Sequence, residues 1–109
     1  MQVRVTTSGR RTGKPRTVTL YAFETEEGAL VITGSWGGNA RDPAWAHNLR
    51  DEPNATVKVG RDERSVLARE FSGKEREKLW ALVTREFPLY GTYQRRTKRP
   101  IPLFVLEPG

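Results

Sequence analysis

Apolar and polar residues alternate along most of this chain, which is the period of strands with one buried face. The segments that carry the alternation are Gln2 to Thr7, Thr17 to Glu24, Ala29 to Gly34, Ala55 to Val59, Arg64 to Glu70 and Ile101 to Glu107. Glu26-Glu27-Gly28 and Gly60-Arg61-Asp62-Glu63 provide tight turns between neighbouring segments. Short strands joined in this way predict a small closed or nearly closed antiparallel barrel, which protects its strand edges.

Two stretches change to the helical period. The first opens at Asp42-Pro43, read as an N-cap followed by proline at the first helical position, and must end before Pro53. The second is announced by Ser72-Gly73-Lys74-Glu75, which has the capping-box form, and Pro88 stops it. Its stripe Leu79, Trp80, Leu82, Val83, running to Phe87, predicts a face laid against the barrel. Residues Leu89 to Pro100 are aromatic and then strongly basic, predicting a turn or single helical turn before the last strand.

The 109 residues suit one domain, 1–109, with no linker, repeat or low-complexity tract. No apolar run reaches the ~20 residues of a membrane helix. Gln2-Val3-Arg4-Val5-Thr6 already alternates like a strand, so no signal peptide is read at the start. The absence of cysteine excludes disulfides and thiol chemistry and is in keeping with a cytoplasmic address. A single histidine, His47, argues against a metal centre.

Charge sharpens the picture. The net charge is +6, and two clusters hold the surplus: Arg10, Arg11, Lys14, Arg16 and Arg95, Arg96, Lys98, Arg99. Without those eight residues the chain carries 11 cations against 13 acids, so the positive charge is local and points to a specific anionic partner. The first cluster lies in Thr6-Thr7-Ser8-Gly9-Arg10-Arg11-Thr12-Gly13-Lys14-Pro15-Arg16, between two predicted strands. Arginine forks match phosphate and carboxylate oxygens, and glycines let backbone N–H groups approach closely.

Three further constellations carry candidate chemistry. Thr33-Gly34-Ser35-Trp36-Gly37-Gly38-Asn39 is a glycine-rich loop feeding a helix, without dinucleotide-fold glycine spacing. The helix that follows places Trp45 and Leu49 on one face, with Asn48 beside Trp45. Phe87-Pro88-Leu89-Tyr90-Gly91-Thr92-Tyr93 reads as a lid of amphipathic rings or as plain packing against the barrel. A tyrosine hydroxyl is a hydrogen-bond donor at neutral pH.

Taken together these pieces resemble the deazaflavin-dependent nitroreductase family, whose members use coenzyme F-420. The resemblance rests on Thr6-x-x-Gly9-Arg10-x-Thr12-Gly13-x-Pro15-Arg16, Leu20-Tyr21, Pro43-x-Trp45-x-x-Asn48-Leu49, Pro88-x-Tyr90-x-x-Tyr93-Gln94 and the terminal Ile101-Pro102 through Glu107-Pro108. It implies a six-stranded antiparallel split β-barrel with two helices packed on it. It also implies hydride transfer from reduced deazaflavin to an electron-poor acceptor, a quinone, nitroaromatic or activated enone.

By the same resemblance, Arg10, Arg11, Thr12 and Arg16 take the coenzyme's phosphate and oligoglutamate tail. Thr17, Val18, Thr19, Leu20 and Tyr21 line its ring, with Thr33, Gly34, Ser35 and Trp36 following. Ala44, Trp45, His47 and Asn48 supply the helix face. The tyrosine lid falls on Tyr90; in the reaction read from this, Tyr90 hydrogen-bonds or protonates the developing oxyanion, with Ser35 as a second donor and Tyr93 shaping the acceptor pocket. Trp36 stands where relatives often have lysine, Asp42 where asparagine is more usual, and Phe87 where tyrosine is common. The sequence opens directly on its first predicted strand, so the expectation is that it lacks the longer amphipathic N-terminal segment that some members use near membranes. The implied partners are a small-molecule acceptor and no nucleic acid, with contact to an anionic membrane and a monomer or homodimer both left open. The rival readings are an FMN- or heme-binding barrel, a small basic barrel for single-stranded nucleic acid, and a protein that only sequesters the coenzyme.

Overall fold

All six predicted strands form in the computed structural model, which describes residues 1–35, 38 and 40–109. They are β1 (Gln2–Ser8), β2 (Pro15–Glu24), β3 (Leu30–Thr33), β4 (Asn54–Val59), β5 (Asp62–Glu70) and β6 (Leu103–Pro108). They close into an antiparallel barrel in the order β1-β2-β3-β6-β5-β4, with β4 returning to β1. Among the described residues three α-helices accompany it: α1 (Ala44–Asp51), α2 (Gly73–Glu86) and α3 (Leu89–Arg95).

Alternation explains which residues point inward. Val3 and Val5 of β1, Val57 of β4 and Val66 of β5 are buried in the barrel interior, where Ile32, Phe104 and Leu106 meet them. Helix α1 adds Trp45, Ala46 and Leu49 to that same cluster. Strands β3 and β6 break the alternation, because Val31, Leu103 and Val105 are buried on the outer face as well. The partner there is α2, whose Leu79 and Val83 pack on them as the stripe predicted. Continuous apolar runs are what strands covered on both faces require.

Three local expectations need correction. The segment after Pro88 is not a single turn: α3 runs for seven residues before the chain reaches β6. Asp42 does not cap α1; Pro43 occupies the N-cap position, and no side chain caps the helix. Both Asp42 carboxylate oxygens are instead taken by guanidiniums, Oδ1 by Arg99 at 2.7 Å and Oδ2 by Arg50 at 2.8 Å. Charge-assisted bonds from distant arginines outcompete a local cap. The capping box of α2 also fails to close: Ser72 is the N-cap residue but makes no side-chain cap bond. Glu75 turns to Arg69 at 3.6 Å instead.

Candidate functional site: a basic hairpin opening onto an aromatic cavity

The β1–β2 connection is a tight six-residue turn whose shape is set by its own backbone. Gly9 N–H donates to the Lys14 carbonyl at 2.8 Å and Gly13 N–H to the Gly9 carbonyl at 2.7 Å. Gly13 has a φ of +71°, the left-handed conformation that glycine adopts without a Cβ penalty. The Lys14 N–H also donates to Thr12 Oγ1 at 3.2 Å.

This turn is fastened to α1 by one side chain. Asn48 is buried, accepts from the Arg10 N–H at 3.1 Å through Oδ1, and donates through Nδ2 to Thr7 Oγ1 at 3.1 Å. Thr7 sits at an inward position of β1, where a hydroxyl needs a partner, and Asn48 provides it.

A cavity of about 600 Å³ lies between turn and helix. The basic residues Arg10, Arg11 and Arg16 line it from one side, with Thr12, Thr17 and Val18. Ala44, Trp45 and Asn48 line it from the helix. Arg10, Arg11, Lys14 and Arg16 are all exposed, and none of them makes an ion pair among the described residues. Four cations at one turn, with no carboxylate paired to them among the described residues, concentrate positive potential at this end of the cavity.

A second cavity of about 330 Å³ adjoins the first across Val18, Pro43 and Trp45, which line both. Its other walls are Leu20 and Tyr21 of β2, Thr33 and Ser35 at the exit of β3, and Tyr90 of α3. The Ser35 and Tyr90 hydroxyls have no hydrogen-bond partner among the described residues. Rings continue outward from this cavity: Tyr21 lies 4.7 Å from Phe87, Phe23 6.0 Å from Tyr90, and Tyr90 5.9 Å from Tyr93, centroid to centroid. The two cavities together give one groove with a cationic end and an apolar, aromatic end carrying two hydroxyl donors.

Not every predicted residue lies along this groove. Thr19 is exposed opposite Arg4 on the barrel's outer face, and His47 lines neither cavity. Gly34 is packed beneath Pro102, where an added Cβ would meet the ring at 2.6 Å. Tyr93 lines neither cavity; its ring meets that of Tyr90, which does. Trp36 lies outside the described residues. Thr7 and Pro43 belong to the groove and escaped prediction, although a lone threonine on the apolar face of β1 was the available signal. A further cavity of about 420 Å³, on the other side of β1, is lined by Thr6, Ser8, Thr56 and Ser65 and by no charged side chain.

The second basic cluster divides. Arg95 and Arg96 are exposed, and Arg96 lies over the Tyr93 ring at 5.8 Å. Arg99 turns inward to Asp42 and to the Ser35 carbonyl, at 2.7 and 3.0 Å. Asp42 connects in turn to Arg50, which grips Glu70 with two bonds of 2.8 Å. The Glu70 bonds, together with Asp42, hold Arg50 more firmly protonated than a free guanidinium, against the cost of its partial burial.

Comparison with known proteins agrees with this geometry. Residues 2–108 match the family model described as "F420H(2)-dependent quinone reductase". The chain is 36% identical over 103 residues to the quinone reductase Rv1261c of Mycobacterium tuberculosis, covering 92% of this chain and 68% of that one. A solved structure of an F-420-dependent reductase, FDR-A, superposes with a TM-score of 0.85 at 36% identity, covering 97% of this chain and 93% of that chain. Another, described as a domain-swapped dimer, gives a TM-score of 0.86 at 36% identity over 97% of this chain and 79% of its own. An unneutralised cationic turn, an aromatic cavity beside it and a split barrel carrying both thus have one shared explanation: the chain belongs to the family of F-420-dependent quinone reductases, oxidoreductases whose hydride donor is coenzyme F-420.

Proposed function

We propose that this protein binds F-420 along the groove and reduces a quinone held at its aromatic end. The observation that carries the reading is the set of four cations at the β1–β2 turn that make no ion pair among the described residues, next to a cavity walled by aromatic and aliphatic side chains. Arg10, Arg11 and Arg16 would hold the phosphate and ionised tail, with the Thr12 hydroxyl as a neutral donor. Val18, Leu20, Pro43 and Trp45 would sandwich the ring system and keep water away from it. Reduced F-420 supplies a hydride when bound. Tyr90 and Ser35 would hold hydroxyl protons against the acceptor oxygen, stabilising the charge that develops there. The quinone gains the hydride and one proton, leaving as the hydroquinone. Titration of tryptophan emission with F-420, FMN, heme and an oligonucleotide tests the reading. Saturable quenching by F-420 alone is the expected result; a preferential response to any of the others removes it.

The rim of the aromatic cavity favours an acceptor delivered from a bilayer. Tyr21, Phe87 and Leu89 are 40%, 38% and 52% exposed. Leu89, Tyr93 and Arg96 recur at i, i+4 and i+7 along α3 and its C-cap. Residues 87–106 include no acid, so this rim pairs apolar surface with positive charge, the combination suited to an anionic lipid face. Among the described residues no helix is long and apolar enough to cross a membrane, so the contact would be peripheral. The domain-swapped relative supports pairing of two chains, which sedimentation measurements on the purified protein would test.

A further inference from the structure

Arg99 belongs, by sequence, to a run of surface cations, yet its side chain is only 13% exposed. Its Nη1 donates to Asp42 Oδ1 at 2.7 Å and its Nη2 to the Ser35 carbonyl at 3.0 Å. Its own carbonyl accepts from Gln94 Nε2 at 2.7 Å, while Gln94 Oε1 accepts from the Ile101 N–H at 2.8 Å. Gln94 stands one helical turn from Tyr90 on α3, and Asp42 immediately precedes Pro43. Arg99 therefore joins three chain segments, and each places a neighbouring residue in the 330 Å³ cavity: Ser35 itself, Pro43 and Tyr90.

We propose that Arg99 is a positioning residue for the acceptor end of the site, setting the spacing between the Ser35 and Tyr90 hydroxyls. Its charge is not available to a ligand. Glu70, Arg50, Asp42 and Arg99 form a chain of two carboxylates and two guanidiniums, balanced within the fold. Among the described residues the hairpin arginines have no such partners, so one cluster recruits an anion and the other organises the cavity. The planar guanidinium suits this task because it donates in two fixed directions, to Asp42 and to the Ser35 carbonyl, as the single ammonium of lysine does not. The inference rests on the reading in which Ser35 and Tyr90 donate to the acceptor.

A double-mutant cycle tests it. Arg99→Lys, Ser35→Ala and the double variant are compared for single-turnover oxidation of reduced F-420 by a soluble naphthoquinone, for F-420 affinity and for thermal stability. Small displacements of reacting groups are costly, so Arg99→Lys should slow turnover about tenfold. F-420 affinity should stay within about twofold, since the ionised tail lies on the other cluster. In the Ser35→Ala background the same substitution should slow turnover far less, because the group it positions is gone. Equal slowing in both backgrounds, no slowing at all, or a loss of F-420 affinity that tracks turnover overturns the proposal while leaving Ser35 as a donor. Ser35→Ala with undiminished turnover removes Ser35 from the chemistry, and the positioning role falls with it. Asp42→Asn, which keeps an acceptor for Arg99 while removing the charge, provides the same comparison if Arg99→Lys does not fold.

Discussion

The Arg10 N–H and the Asn48 side-chain carbonyl are 3.1 Å apart, bridging the cationic turn and the helix that faces it across the groove. Because Asn48 also donates to Thr7, one buried amide fixes both the base and the tip of the anion site. Asn48→Ala leaves the Thr7 hydroxyl and the Arg10 N–H without protein partners. The loss should be about 1–3 kcal/mol of stability, measurable by urea unfolding. F-420 affinity should fall with it, while affinity for a tail-less deazaflavin changes little; an equal loss for both would mean that Asn48 acts on the ring.

Arg10→Ala and Arg16→Ala should each weaken F-420 binding about tenfold at low ionic strength, the scale of one charge-assisted contact. Salt screens the attraction that these arginines supply, so the gap between wild type and the double variant should narrow as salt is added. Isothermal titration at two ionic strengths measures this. A gap that widens with salt would show that the arginines do not meet the anion directly.

Tyr90→Phe keeps the ring contacts with Phe23 and Phe87 and deletes only the hydroxyl. Turnover should drop by about 10²-fold if that proton is delivered in the transition state. F-420 affinity should remain close to wild type, and stopped-flow oxidation of the reduced coenzyme separates the two.

Gly34→Ala forces a Cβ to within 2.6 Å of the Pro102 ring, beside the bond from the Gly34 N–H to the Pro102 carbonyl. A cost of about 1–3 kcal/mol follows from overpacking. Thermal unfolding checks it, and an unchanged midpoint would mean that β3 and the approach to β6 separate without penalty.

Leu89→Asp should release the protein from vesicles containing anionic lipid without altering reduction of a water-soluble quinone. Co-sedimentation with anionic and zwitterionic vesicles reads the first effect. Binding that survives the substitution would place the lipid contact elsewhere.

The barrel was legible because its strands obey the two-residue period, and a buried inner face imposes that period directly. Val31 and Val105 point the other way and are buried only because α2 covers them, so their role depends on a helix some distance along the chain. Local pattern also fell short at Asp42. Aspartate before proline looks like a cap, but the arginine that claims Oδ1 lies 57 residues further on. Helix α3 was underestimated because it contains Gly91, a poor helix former, and none of its residues is fully buried, so no apolar stripe announces its length. Within the candidate site, the cationic turn was readable from composition alone. What separates Arg99 from Arg95 and Arg96 is direction, which adjacency in a basic run does not encode.

Strand β6 pairs with β3 on one side and β5 on the other, contributing Phe104 and Leu106 to the interior and Leu103 and Val105 to the exterior cluster. It is therefore the keystone between two cores as well as the seam of the cylinder. Until this final strand arrives, β3 and β5 each present an unsatisfied ladder edge, and α2 has only half of its seat. Assembly of this domain should consequently be late, concerted and governed by encounters between sequence-distant segments, the slow regime for β-rich topologies.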